Sequence, residues 1–391
     1  MKTLITKYKI QEITPNDTSE RRYDLDWLRI LAFGLLIFYH TGMIYVSWGW
    51  HIKSKETSEM LEVVMLIMNR WRLPLLFLIS GSGIYFALRK RTNGEFASER
   101  MRRLFFPLAF GMLVIVPPQI YFERLQQGIT FSYSVFYSTV FEFVAYPKGS
   151  FSWHHLWFVA YILVYSLISI PIFNYLKSEK GKDKISAFAN FIDKKMIRIY
   201  LFIFIGFLIN AILQPYFPTT HNLIWDWANF MGSWYSFLVG YIFASNLKFT
   251  ETLEKLRFTS LFWAVLSYTL LIFFWQSEIL KPIFGQSERN FIYRIIDNSL
   301  GGFALFALLG FAKKHLNFNT PFLKEANRAV YPFYILHQTI IISIGYYILQ
   351  IDLGIWQGLF IICFLTLISC MSAYWLVIKP FKLMRFLFGV K

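Results

Sequence analysis

Run after run of uninterrupted apolar residues constrains this chain more than any other feature. Ten stretches reach or approach the ~18 to 20 residues that cross a bilayer core. They cover 26–48, 66–88, 104–122, 155–175, 197–214, 228–246, 258–276, 294–313, 328–349 and 355–378. A soluble core has no use for so many. Only 16% of the 391 residues are charged, against roughly 25% in a soluble domain. The expectation is an all-α polytopic membrane protein. It is a bundle of about ten transmembrane helices forming one integral-membrane domain over 1–391. A polar leader precedes the first run and no cleavage pattern follows it, so that run is read as a span and not as a signal peptide.

Charge supplies the orientation. The leader 1–25 carries Lys2, Lys7, Lys9, Arg21 and Arg22. The connection RKRTNGEFASERMRR has six Lys and Arg, and KSEKGKDKISAFANFIDKKMIR has seven. The alternate connection QPYFPTTHNLIWD has none. Lys and Arg gather on the cytoplasmic side, so both termini are expected in the cytoplasm, the tail being 379–391. The same rule accounts for the net charge of +16, which in a soluble protein would suggest nucleic acid; no nucleic-acid partner is expected. The apolar stretch 129–149 would reverse the alternation if it crossed, so it is read as an interfacial or re-entrant element on the outer side. Cys363 and Cys370 stand seven residues apart, about 10 Å along one helix and beyond disulfide reach. No cysteine set for a metal is present.

An ionisable group inside a membrane costs roughly 2.5–3.5 kcal/mol at mid-span and is a functional candidate by default. The first run, DWLRILAFGLLIFYH, carries Arg29 near its start and His40 at its end. Eleven steps of about 100° return both to one helix face, roughly 16 Å apart. One face therefore presents a fixed cation near the cytoplasm and a titratable imidazole deeper in. That suits a ligand with an anionic end and a reactive end. The arginine holds the anion; the histidine works as base or nucleophile. Asp26, one turn before Arg29, can hold the guanidinium. The plainer alternatives are an arginine that snorkels to the interface and a histidine bonded to a neighbouring helix.

YDLDWLRILAFGLLIFYH resembles the start of membrane acyltransferase family 3, whose hallmark is an arginine, ten residues, then a catalytic histidine. RWRLPLLFLISG (70–81) resembles its second-span signature, and ERMRRLFFP (99–107) its Arg-x-x-Arg element, falling on Arg100 and Arg103. WHHLWFVAYIL (153–163) and YPFYILH (331–337) are most similar to a stand-alone subgroup that succinylates osmoregulated glucans. The resemblance implies an enzyme of a bacterial inner membrane. It would move an acyl group from cytoplasmic acyl-CoA, such as acetyl-CoA or succinyl-CoA, to a hydroxyl of a carbohydrate at the outer face. Acyl-CoA is then a substrate, and no resident cofactor or metal is implied.

The candidate roles follow. His40 and His337 are the catalytic candidates. Arg29, Arg100 and Arg103 would meet the phosphates of the donor, the alternative being ordinary cytoplasmic charge. Tyr331, Tyr334 and His337 share one face of the ninth run, with Tyr331 read as packing. Tyr334, His155 and Trp157 are read as substrate contacts, Trp153 and Trp157 being equally at home at an interface. Arg70 and Arg72 begin the second run on its outer side, against the charge rule. They lie among headgroups or meet an anionic acceptor or the carboxylate of a dicarboxylic acyl group. Ser80 and Gly81 are read as close-packing residues. Only about a dozen residues follow the last run, so the chain would act alone or with a separate extracytoplasmic partner. The rival readings are a transporter or flippase of lipid-linked sugars and a scaffold without chemistry.

Overall fold

The computed structural model describes residues 21–276 and 285–390. Lys2, Lys7 and Lys9 of the leader lie outside the described residues. Helices make up the architecture; among the described residues there is no sheet, only one isolated bridge between Ala145 and Phe151.

The principal helices are α1 (Tyr23–Gly42), α2 (Glu59–Leu88), α3 (Asn93–Gln126), α4 (Trp157–Ile168), α5 (Ile170–Lys177), α6 (Glu179–Lys194), α7 (Leu201–Leu213), α8 (Trp227–Ser245), α9 (Leu247–Lys255), α10 (Arg257–Gln276), α11 (Gln286–His315), α12 (Pro321–Ile348) and α13 (Ile355–Ile378). Six helices are long and apolar enough to cross a bilayer, or seven if His154–Ile168 and Ile170–Lys177, which meet at 52°, form one broken span. The expectation of about ten is thus met only in part. The other three expected spans, α1, α8 and α12, are helical but do not reach that standard. α1 and α12 carry acids and histidines that interrupt the apolar run, and α8 carries Asn229 with several serines, glycines and aromatics of low hydropathy. The stretch 129–149 holds only a six-residue helix, Tyr133–Ser138, and a single 3-10 turn, far short of the ~20 residues of a span.

Polar caps, not hydropathy, set the starts of α2 and α12. α2 starts seven residues before the apolar run begins. Ser58 caps it by accepting from the Leu61 amide at 3.3 Å, with Glu59 and Glu62 in the first turn; acids there complement the helix dipole. Arg70 and Arg72 were expected at the start of this helix. They lie well inside it, Arg72 about 20 Å from the first residue. α12 likewise starts early, at Pro321 after the Thr320 cap. α1 stops at Gly42, six residues short of the predicted boundary at 48. The chain then folds back as a loop over 43–58. α3 runs for 34 residues and contains two π turns, Met101–Phe105 and Gly111–Ile115.

α2 is the central post, packed against α1, α8 and α11. Its contact with α8 is made by backbone. A Cβ on Gly81 would stand 1.8 Å from the Phe237 carbonyl oxygen, and one on Gly240 1.9 Å from that of Leu78. Ser82 Oγ donates across this seam to the Gly240 carbonyl at 2.9 Å. Small residues at a membrane helix contact let backbones approach in this way, which explains the small residues of the ISGSG segment. α12 packs against α1, α13 and the far half of α3. The three helices α1, α3 and α12 thereby enclose the polar centre.

Candidate active site

His40 and His337 come together at that centre. His40 Nδ1 lies 2.8 Å from His337 Nε2, and the rings are nearly parallel, 14° apart, with centroids at 5.0 Å. The remaining nitrogen of His337, Nδ1, lies 2.6 Å from the Tyr334 carbonyl. A carbonyl only accepts, so His337 Nδ1 carries a proton and donates it. In the neutral ring Nε2 is then an acceptor. His40 must therefore donate from Nδ1, which leaves the lone pair of its Nε2 free. Two ordinary hydrogen bonds thus select the tautomer of His40 that can act as base or nucleophile. His337 is fully buried; His40 keeps partial exposure. Trp50, from the 43–58 loop, stacks over His40 with centroids 6.1 Å apart.

Arg72 stands beside this pair. Its side chain is 3% exposed and its guanidinium carbon lies 3.6 Å over the Tyr39 ring. Nε and Nη1 are buried with no hydrogen-bond partner, and its charge acts on both imidazoles. Buried N–H groups of a cation are rarely left unpaired, so these two mark a place for an anionic or oxygen-bearing group. Arg70 faces elsewhere. It pairs with Asp297 at 2.6 Å and Tyr293 at 2.6 Å, on the wall of a second cavity of about 550 Å³.

The other expected substrate contacts are placed differently. His155 is buried behind His337, ring centroids 5.4 Å apart and edge to face. Its Nε2 donates to the Ile335 carbonyl at 3.0 Å, and its Nδ1 lies 3.2 Å from Gln119 Nε2. The Tyr334 hydroxyl donates to the His155 carbonyl. Trp157 is stacked on His221 with centroids 4.0 Å apart. None of the three directs a free polar group at the pair; they fix His337 and the start of α4.

At the other end of α1 a cavity of about 550 Å³ is bordered by Arg21, Arg22, Asp26, Arg29, Arg89 and Lys90. Asp26 holds Arg29 at 3.4 Å and Arg21 at 2.9 Å. Arg100 and Arg103 lie close enough for their charges to act on Arg29, but they do not border the cavity. Arg103 pairs with Glu99 at 3.6 Å. Arg100 packs over the Phe96 ring, and its buried Nε has no partner.

Several polar residues escaped the sequence reading. Gln338 Nε2 lies 3.0 Å from Gln119 Oε1 and 3.2 Å from His51 Nε2. His51 Nδ1 lies 2.5 Å from Glu123. The 43–58 loop that presents Trp50 and His51 is tied by Lys53, whose ammonium donates to the carbonyls of Met43, Val46 and Trp48. Burial lowers the Lys53 pKa, with Glu62 opposing. Amides inside apolar runs were the one signal that could have pointed here.

A paired imidazole, an unsatisfied guanidinium beside it and a basic cavity along the same helix suit a membrane enzyme that handles an anionic carrier. Comparison supplies the class. A model of the acyltransferase 3 family, described as an acyltransferase domain, matches residues 22–375. The chain belongs to that family and is an integral-membrane acyltransferase. More particularly, it is similar to glucans biosynthesis protein C of Shigella dysenteriae serotype 1 (strain Sd197), at 22% identity over 385 residues and 95% of each chain. It is similar to glucans biosynthesis protein C of Escherichia coli (strain K12) at the same identity and coverage. No solved structure matches the chain.

Proposed function

We propose that the protein moves an acetyl, succinyl or similar acyl group from cytoplasmic acyl-CoA to a hydroxyl of an extracytoplasmic or lipid-linked glycan. The observation that carries this reading is the His40–His337 hydrogen bond, which leaves Nε2 of His40 free for proton transfer. The glucan-related names of the relatives support the acceptor class. The clustering of Lys and Arg supports a bacterial inner-membrane protein acting as one domain, with its basic end and both termini in the cytoplasm and about ten crossings.

Arg29, Arg89 and Lys90 receive the phosphates of coenzyme A in the basic cavity, with Arg100 and Arg103 adding to the field. From Arg29 to His40 is about 16 Å along the helix, a distance that an extended pantetheine arm covers. The thioester carbonyl then lies between His40 and Arg72. His40 Nε2 takes the proton of the acceptor hydroxyl as its oxygen attacks. The C–O bond forms, the C–S bond breaks, and the departing thiolate takes the proton back from the imidazolium. The unpartnered Nε and Nη1 of Arg72 stabilise the oxyanion, or hold the distal carboxylate of a succinyl group. Direct attack by His40 on the thioester is the alternative course; an acyl-histidine trapped on rapid quenching would select it.

The test uses purified protein, labelled acyl-CoA and membrane glycans. His40→Ala should abolish transfer while inserting normally. Full transfer by that variant ends the proposal.

A further inference from the structure

We propose that His51, Glu123 and His154 form a binding site for a zinc-class divalent metal ion, at the end of the bundle away from the basic cavity. This goes beyond acyl transfer and does not rest on it. The three residues come from distant parts of the chain: the 43–58 loop, the last turn of α3 and the segment just before α4. Each offers one ligand atom, and the three atoms lie within 4.8 Å of one another.

An ion pair between His51 and Glu123 would explain two of the three. It does not explain His154. That residue adopts φ of 40°, a left-handed conformation uncommon for a side-chain-bearing residue. Ser152 Oγ secures it there. The hydroxyl lies 3.1 Å from the His154 backbone N–H and 2.7 Å from its Nδ1. In the tautomer whose Nδ1 donates to Ser152, the lone pair lies on Nε2. That nitrogen is buried with no partner, and its ring stacks on His51 with centroids 4.6 Å apart. A left-handed backbone thus holds an unpartnered imidazole nitrogen within 4.8 Å of a histidine–carboxylate pair. Strain of this kind clusters at functional sites.

The donor set has a known chemistry. Two imidazoles and one carboxylate, with a fourth position left for water, make a zinc site with Zn–N near 2.0–2.1 Å. Ligands in such a tetrahedron stand about 3.3 Å apart. The 2.5 Å separation of His51 and Glu123 must open, the longer separations must close, by about one ångström, and the two stacked rings must tilt so that both lone pairs meet at one point. Surrounding groups already suit the outer shell. Tyr146 donates to Glu123 Oε1 at 2.6 Å, so Oε2 remains for the ion. When His51 binds through Nδ1 its proton moves to Nε2, and the Gln338 amide, which in the metal-free pair faces that nitrogen and donates to Gln119 Oε1, gives up its contact with His51. The ion would clasp the 43–58 loop and the segment before α4 to α3.

The experiment uses the full chain in detergent, stripped with a chelator, equilibrated with Zn2+, desalted and assayed for metal by mass spectrometry. Wild type and the control His315→Ala, altered at an exposed distant histidine, should each retain about one zinc ion per chain. His154→Ala and Glu123→Gln should retain less than about a tenth of that. Because either variant could misfold, Co2+ loading of the wild type provides a second readout: tetrahedral ligand-field bands are expected. The proposal is overturned if wild type retains under about a tenth of an ion, if both variants retain as much zinc as wild type, or if Co2+ gives no such bands. Acyl transfer is measured separately, so failure of either reading leaves the other standing.

Discussion

His337→Leu tests how the reactive nitrogen is chosen. Leucine is close to histidine in volume but offers no acceptor. In the wild type His40 Nδ1 donates across 2.8 Å. Without a partner, a buried N–H costs about 1–3 kcal/mol. That cost falls on the reactive tautomer alone, because the alternative ring places its proton on the side open to substrate. At 1.36 kcal/mol per decade, kcat/KM should fall about 5- to 160-fold. His337→Gln, which can present an amide oxygen to Nδ1, should recover part of the loss. Initial rates of label transfer from acyl-CoA to glycan, normalised to inserted protein, measure both. Two results refute the reasoning. A leucine variant within twofold of wild type would mean that the bond does not select the tautomer. A loss as complete as that of His40→Ala, with no rescue by glutamine, would mean that His337 itself reacts.

Arg29→Ala should raise the KM for acyl-CoA about 10- to 150-fold, the worth of a charge-assisted hydrogen bond, with a smaller change in kcat; steady-state kinetics with varied donor decides. Arg72→Gln should lower kcat by about 10²- to 10³-fold, as loss of an oxyanion donor does. Gly240→Ala drives a Cβ to 1.9 Å from the Leu78 carbonyl oxygen and should cost about 1–3 kcal/mol, as overpacking does. Gly83→Ala, with nothing within 4 Å, should leave the Tm in detergent nearly unchanged.

The helical body was legible because a bilayer-length apolar run has few other destinies. Its boundaries were not, since hydropathy does not register a cap. Ser58 and Thr320 extend α2 and α12 beyond their apolar cores, so Arg72, expected at the outer start of its span, stands inside the helix beside the histidine pair. Arg29 and His40 stood out as ionisable groups in apolar surroundings. His337 followed from its three-residue spacing with Tyr334. The amide network and the His51 cluster did not follow. Gln119 meets Gln338 across 219 residues of chain, and His51 meets Glu123 across 72. No local periodicity encodes such meetings. His155 is turned inward by Gln119 of α3 and Ile335 of α12, and Trp157 by its stack on His221, none of them near in sequence.

The wide turns of α3 act as two joints in a single rod that touches both ends of the catalytic path. Each is a local excess of one residue, and the phase of everything beyond it depends on that excess. Trimming one residue from Met101–Phe105 would restore regular α geometry at that turn, but would swing Gln119 and Glu123 by about 100° relative to Arg100. Length here is therefore as constrained as composition: a shortened rod could still cross the bilayer with its far half facing the wrong neighbours.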